Sequence, residues 1–196
     1  MSKYKTGQFY QDRLRYKILI ICGPSQTGKT TLMDNLIKKY PNKYKYACAC
    51  TTRPKRDYEV AGKDYYFIEL SDYELIKKDM IFKTEFAGNF YGTLIDELNP
   101  YRINIAIVNS EGIDDVKKLQ EEKYKNLDIV IVGLRKEDIP YEREGRTAEQ
   151  IKMEFDVLNK SDITINIQPQ TYVNEDMVND LSDVLFKYLI NEELSN

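Results

Sequence analysis

"YKILIICGPSQTGKTTL", Tyr16 to Leu32, decides the fold. Tyr16 to Cys22 is a continuous β-rich run suited to a central strand covered on both faces, the habit of a parallel sheet. A loop holding Gly23 and Gly28 breaks the run. Leu32, Met33, Leu36, Ile37 and Tyr40 then recur at helical spacing until Pro41 stops them. Between strand and helix, Gly23-Pro24-Ser25-Gln26-Thr27-Gly28-Lys29-Thr30 satisfies the phosphate-loop pattern G-x-x-x-x-G-K-S/T at every position. The pattern has a physical meaning. Backbone N–H groups along the loop and the helix start, from Gly23 through Ser25, Gln26, Thr27 and Gly28 to Thr31, face a polyphosphate. Lys29 reaches the outer phosphates and the Thr30 hydroxyl can ligate Mg²⁺. Such a loop points to a nucleoside triphosphate such as ATP as phosphoryl donor and leaves the acceptor open, because it serves several classes of phosphoryl chemistry.

Composition narrows the field. A chain of 196 residues, 42% hydrophobic and 31% charged, is long enough for one α/β core with a soluble surface. A formal net charge of -3 supplies no basic stripe for duplex nucleic acid, so none is expected as a partner. There is no histidine, which excludes a His-based triad, a His-ligated metal and the usual neutral-pH proton shuttle. Cys22, Cys48 and Cys50 sit in apolar or strand-like contexts and read as buried, reduced thiols, with Cys48 and Cys50 on the same side of a strand. No apolar run approaches the ~18 residues of a membrane span and residues 1–16 lack a signal-peptide core. A cytoplasmic protein without membrane partners, monomeric or homodimeric, is expected.

Further along, "INIAIV" (Ile103 to Val108) and "LDIVIV" (Leu127 to Val132) flank a charged helical stretch from Ile113 to Lys123, which is βαβ alternation. "SDYELIKK" from Ser71 and "TAEQIKMEFDVL" from Thr147 open like capping boxes, with Glu74 and Gln150 three residues on. "ITINI", Ile163 to Ile167, reads as another strand, and Met177, Val178, Leu181, Val184, Leu185, Tyr188 and Leu189 as one stripe of a last helix. Two segments break the rhythm. Cys50 to Asn99 is rich in Tyr, Arg, Lys and Gly around a single helix, and Leu134 to Thr147 is a polar interruption between a strand and a helix. Ligands and lids belong in such places.

"TTRPKRDYEVAGKDYYF" (Thr51 to Phe67) and "FAGNFYGT" (Phe86 to Thr93), together with "GPSQTGKTT", resemble the guanylate kinases. Their patterns are G-P-S-G-x-G-K-S/T, T-T-R-x-x-R-x-x-E-x-x-G-x-D-Y-x-F and G-N/E-x-Y-G-T/S, and the resemblance spans roughly Lys17 to Leu189 in the same order. It implies an α/β, three-layer P-loop kinase sandwich with a parallel central sheet. On that plan the core is about 17–48, 100–133 and 148–194, a monophosphate-binding insertion about 49–99, a lid about 134–147 and an N-terminal extension 1–16. It implies Mg²⁺-ATP as donor and a nucleoside monophosphate as acceptor. The physics of the residues agrees: Arg53 and Arg56 are guanidinium forks three residues apart, and Tyr65 and Tyr91 add phenol donors, a set suited to a monophosphate dianion. Thr93 joins that side by its place in the third motif. Arg143 and Arg146 match the lid arginines that close over the transferring group, and Asn166 matches a family Asn beside the donor base.

The departures gather where guanine would be read. Two carboxylates of the family pattern fall here on Phe82 and Asn109, and a further acid becomes Ile107. Asn109 can accept a hydrogen bond and Phe82 cannot, and a hydrogen bond to a charged group is worth ~1.5 to 3 kcal/mol. Glu85 lies three residues from Phe82, on the opposite strand face unless a bulge intervenes. A family Ser becomes Ala49, a lid-helix Arg becomes Glu154, and the third loop glycine becomes Gln26, which the phosphate-loop pattern tolerates. The expected acceptor is GMP, dGMP or a nucleotide with another base. A ribose bisphosphate kinase and a non-catalytic guanylate-kinase-like binding module are the alternatives.

Overall fold

A computed structural model describes residues 14–136, 148–167 and 173–191. Its centre is a five-stranded parallel sheet in the order β2-β7-β1-β8-β9: Tyr44–Tyr46, Ile103–Ile107, Tyr16–Cys22, Leu127–Lys136 and Ile163–Ile167. β1 is covered on both faces, which is why Ile18 to Cys22 are apolar without interruption. Leu19 and Ile21 point to one face and pack with Leu32 and Leu36 of α1 (Lys29–Lys39) and Val178 and Leu181 of α5 (Glu175–Asn191). Ile18 and Ile20 point to the other, against Ile113 and Val116 of α3 (Ser110–Glu122). A helix layer thus covers each face of the sheet, as βαβ crossovers require.

Residues 50–94 form a second, four-stranded sheet, β4-β3-β6-β5 (Tyr66–Phe67, Cys50–Thr51, Asn89–Leu94, Met80–Phe86), with α2 (Leu70–Ile76) packed on it. β5 and β6 make a hairpin whose turn residues Ala87 and Gly88 both have positive φ, 50° and 72°, the handedness that matches strand twist. Within β5 the register shifts between Ile81 and Thr84, which oppose Thr93 and Tyr91. One extra residue is accommodated there as a bulge, with Phe82 at φ 57°. Its amide needs are met by α3: the Lys83 N–H donates to Asp115 Oδ2 at 2.9 Å, and Lys83 Nζ pairs with Asp115 Oδ1 at 3.1 Å.

Several local expectations change. α2 starts at Leu70 with Glu69 as its extended N-cap and no side-chain cap, so Ser71 is inside the helix and the Ser71/Glu74 box is not made. α3 begins at Ser110, three residues before the first apolar contact, because Asn109 caps it by accepting from the Gly112 N–H at 3.0 Å. β8 continues to Lys136, past the apolar run, since β9 pairs with it from Val132 to Lys136. α4 (Ala148–Asp156) starts directly after Thr147, which lies outside the described residues together with the proposed lid from 137. Val184 of the C-terminal stripe is 46% exposed rather than covered. Cys48 lies outside β3, so the two thiols do not share a strand, although all three cysteines are free and buried. Burial pushes the Cys22 and Cys48 thiols up to about 11, so both stay protonated at neutral pH. Among the described residues, no helix is long and apolar enough to cross a membrane.

Candidate functional site

The carboxyl ends of the central strands and the inner face of the second sheet enclose a cleft of about 960 Å³. Ligands of open α/β sheets bind at that end. Its walls include Gly23, Ser25, Lys29 and Thr30 from the phosphate loop, and, facing them, Arg53, Arg56, Tyr65, Phe82, Tyr91, Thr93 and Asn109, the residues expected to take the acceptor. Gln26, Thr27, Gly28 and Thr31 belong to the same loop and helix start without lining the cleft.

The loop's shape follows from three backbone positions. Gly23 has φ 133° and a Cβ there would lie 2.3 Å from the Leu134 carbonyl oxygen, so only glycine fits against β8. Gly28 has φ 89° and turns the chain into α1, where the Leu32 N–H bonds its carbonyl at 2.8 Å. Gln26 sits at φ 69°, a left-handed conformation that costs a non-glycine residue roughly 1 to 2 kcal/mol. Thr27 Oγ1 donates to Pro24 O at 2.8 Å, and Lys29 Nζ donates to Gly23 O and Pro24 O at 2.8 and 2.6 Å, so the ammonium lies inside the loop's curl. From α4, Glu154 Oε2 accepts the Ser25 N–H at 2.9 Å. A carboxylate thus holds one of the amides that a phosphate would use.

On the acceptor side, Arg53 and Glu59 form a two-pronged pair, 3.0 Å to Oε2 and 2.6 Å to Oε1, with side chains only 15% and 6% exposed. Glu59 Oε2 also accepts the Arg56 backbone N–H at 2.8 Å, so one carboxylate holds the Arg53 side chain and the Arg56 main chain. The hydrogen bond from Arg53 holds the Glu59 carboxyl below its ordinary 4.5 and Glu59 raises Arg53 in turn. The guanidinium carbon of Arg53 lies 5.6 Å from the Tyr65 ring centre, and the Tyr65 and Tyr91 rings meet edge to face at 6.0 Å. Burial pushes the Tyr65 phenol up, keeping it a proton donor. Arg56 Nη1 donates to Tyr58 Oη at 2.9 Å.

At the base-reading positions, Phe82 is 2% exposed and packs with Ile81, Ala106 and Ile113, while still lining the cleft. Asn109 is spent locally: Oδ1 caps α3, and Nδ2 donates to Thr84 Oγ1 at 2.9 Å. Thr84 Oγ1 in turn donates to Glu111 Oε2 at 2.5 Å. Glu85 is exposed, pairs with Phe90 across the hairpin and is not among the lining residues, so the bulge does not bring it in.

Sequence reasoning quoted the motif glutamate at Glu59 without a role. It passed over Thr84 and Glu111, because only the bulge turns Thr84 toward α3. Asn166 lies on the exposed side of β9 beside Arg135 and does not line the cleft. Arg143 and Arg146 lie outside the described residues. No group of three His, Cys, Asp or Glu among the described residues could hold a metal. The hydroxyl of Thr30, with phosphate and water oxygens, suits Mg²⁺, which keeps most of its waters and takes hard oxygen ligands.

A glycine loop at the end of β1, opening into a helix and facing a cleft walled by a second sheet, defines a three-layer α/β protein of the P-loop class. The family model described as guanylate kinase matches residues 15–192. The guanylate kinase of Geobacter metallireducens is 34% identical over 139 residues, covering 67% of this chain and 66% of that protein. That of Nostoc sp. is 42% identical over 85 residues, 42% of each chain. The chain spans less than two thirds of the length of these curated relatives. The crystal structure of guanylate kinase from Anaplasma phagocytophilum superposes with a TM-score of 0.64 at 21% identity, over 90% of this chain and 88% of that one, and so shares the fold. The chain belongs to the guanylate kinase family.

Proposed function

We propose that this chain is a nucleoside monophosphate kinase that transfers the γ-phosphoryl group of Mg²⁺-ATP to GMP or dGMP. The observation that carries the reading is that Lys29 and Thr30 share one cleft with Arg53, Arg56, Tyr65 and Tyr91. In this reading the phosphate loop and Lys29 hold the donor phosphates. The two arginines and two tyrosines hold the acceptor dianion, with Thr93 beside them. A phosphate oxygen is already nucleophilic, so no general base is needed and the residues act by alignment and charge neutralisation. Mg²⁺, held through Thr30, supplies further neutralisation of the phosphates. Residues 49–99 serve as the acceptor-binding part and the polar segment that follows the end of β8 at Lys136, through 147, as the lid, with Arg143 and Arg146 closing on the transferring group; the donor base reaches Asn166 outside the residues that line the cleft.

The test is a coupled assay with every ribo- and deoxynucleoside monophosphate and with ribose 1,5-bisphosphate. Turnover of GMP and dGMP is expected; silence for every acceptor overturns the reading. Lys29→Ala is expected to lower kcat by about a hundredfold or more with the circular dichroism unchanged. Near-normal turnover by that variant would contradict its role.

A further inference from the structure

Resting on the reading of the cleft as an acceptor site, we propose that Glu111, oriented by Thr84, is the residue that reads the acceptor's base, in place of the acids missing at Phe82 and Asn109. The β5 bulge makes this possible. Thr84 stands opposite Tyr91 across the hairpin ladder, so the two side chains leave the sheet on the same face. On the far side it meets the first turn of α3. There the Asn109 amide donates to Thr84 Oγ1 and the Thr84 hydroxyl donates to Glu111 Oε2, a directed chain that fixes where the carboxylate sits. Phe82 offers no polar atom, and each polar atom of Asn109 already holds a hydrogen bond within the protein. Thr84, Asn109 and Glu111 all line the cleft.

A carboxylate only accepts hydrogen bonds, and it has about four lone-pair sites, of which Thr84 takes one. Its best partner is a base edge with two adjacent N–H donors. Guanine presents such an edge through its ring N–H and exocyclic amino group. Hypoxanthine keeps the ring N–H and lacks the amino group. Adenine sets a ring acceptor beside its amino group, and the lone pair of that ring nitrogen repels the carboxylate. Glu111 therefore selects for the amino-bearing purine edge of guanine. A first-turn acid that merely favours the helix N-terminus would carry no such selectivity.

The experiment is calorimetric titration of GMP, IMP and AMP into the full chain, the Glu111→Gln variant and Glu85→Gln. The unmodified chain is expected to bind GMP about ten- to a hundredfold more tightly than IMP, the range for one hydrogen bond to a charged group. Glu111→Gln is expected to bring that ratio within about threefold with no change in melting temperature, and Glu85→Gln to leave it intact. A ratio that survives Glu111→Gln, a preference for AMP, or no binding of any of the three overturns the assignment. Binding is read apart from turnover. A kinase assay silent for all acceptors with the ratio intact removes the catalytic reading and leaves this one standing.

Discussion

Arg53 and Glu59 meet through two parallel contacts in a largely shielded setting, and the same carboxylate takes the Arg56 N–H. Geometry of this kind fixes the direction of the Arg53 fork and the path of the Arg56 main chain, so Glu59 is a positioning residue for both. Its carboxyl is held down by the hydrogen bond from Arg53 first, helped by the Arg56 amide and opposed by burial. A carboxyl lowered in the folded state adds stability above its ordinary value of 4.5; that stability is lost as pH falls through the lowered value. Glu59→Gln is therefore expected to flatten the acid limb of the stability curve below about pH 5. The same variant is expected to raise the acceptor KM about tenfold, with a smaller effect on kcat. Denaturant midpoints against pH, with acceptor kinetics, check both; an unaltered acid limb would show that the pair contributes nothing.

At the scale of elements, the phosphate loop is answered by α4. Glu154 places a carboxylate on the Ser25 N–H, where the family pattern has a lid-helix Arg and where the proposed function puts a donor phosphate. The competition is for one amide and the charges are alike, so Glu154→Gln is expected to tighten ATP binding roughly three- to tenfold. Titration with ATP reads this directly, and weaker or equal affinity would mean that Glu154 yields without cost. α3 plays a different part. Its N-cap, its first turn and Asp115 all engage β5, through Asn109, Glu111 and the bulge amide of Lys83. The helix thereby ties the second sheet to the first while presenting one carboxylate to the cleft.

For the molecule as a whole, the return from the second sheet to the first is locked by a buried polar side chain. Asn104, the second residue of β7 and fully buried, accepts from the Asn99 N–H at 2.7 Å and shares its amide hydrogens among the carbonyls of Asn99, Arg102 and Lys17 at 2.9, 3.2 and 3.2 Å. Asn104→Ala leaves an amide and carbonyls without that partner and is expected to cost about 2 to 3 kcal/mol, read as a lowered urea midpoint. A change within about 0.5 kcal/mol would show that the turn re-forms without it. By itself the sequence determined the strand, loop and helix from Tyr16 to Lys39, because continuous apolar patterning, glycine spacing and the Pro41 stop are local. β9 was legible for the same reason, and motif spacing already grouped Arg53, Arg56, Tyr65 and Tyr91, which the structure brings to one cleft. The sequence read Asn109 as a residue able to accept from a base and left Thr84, Glu59, Glu111 and Asn104 without roles. Those depend on contacts between residues 2 to 87 positions apart. A one-residue bulge in β5 sets which side chains face the cleft, and α3 supplies the partner that holds it there. Neither is written in local patterning, so only the tertiary structure decided them.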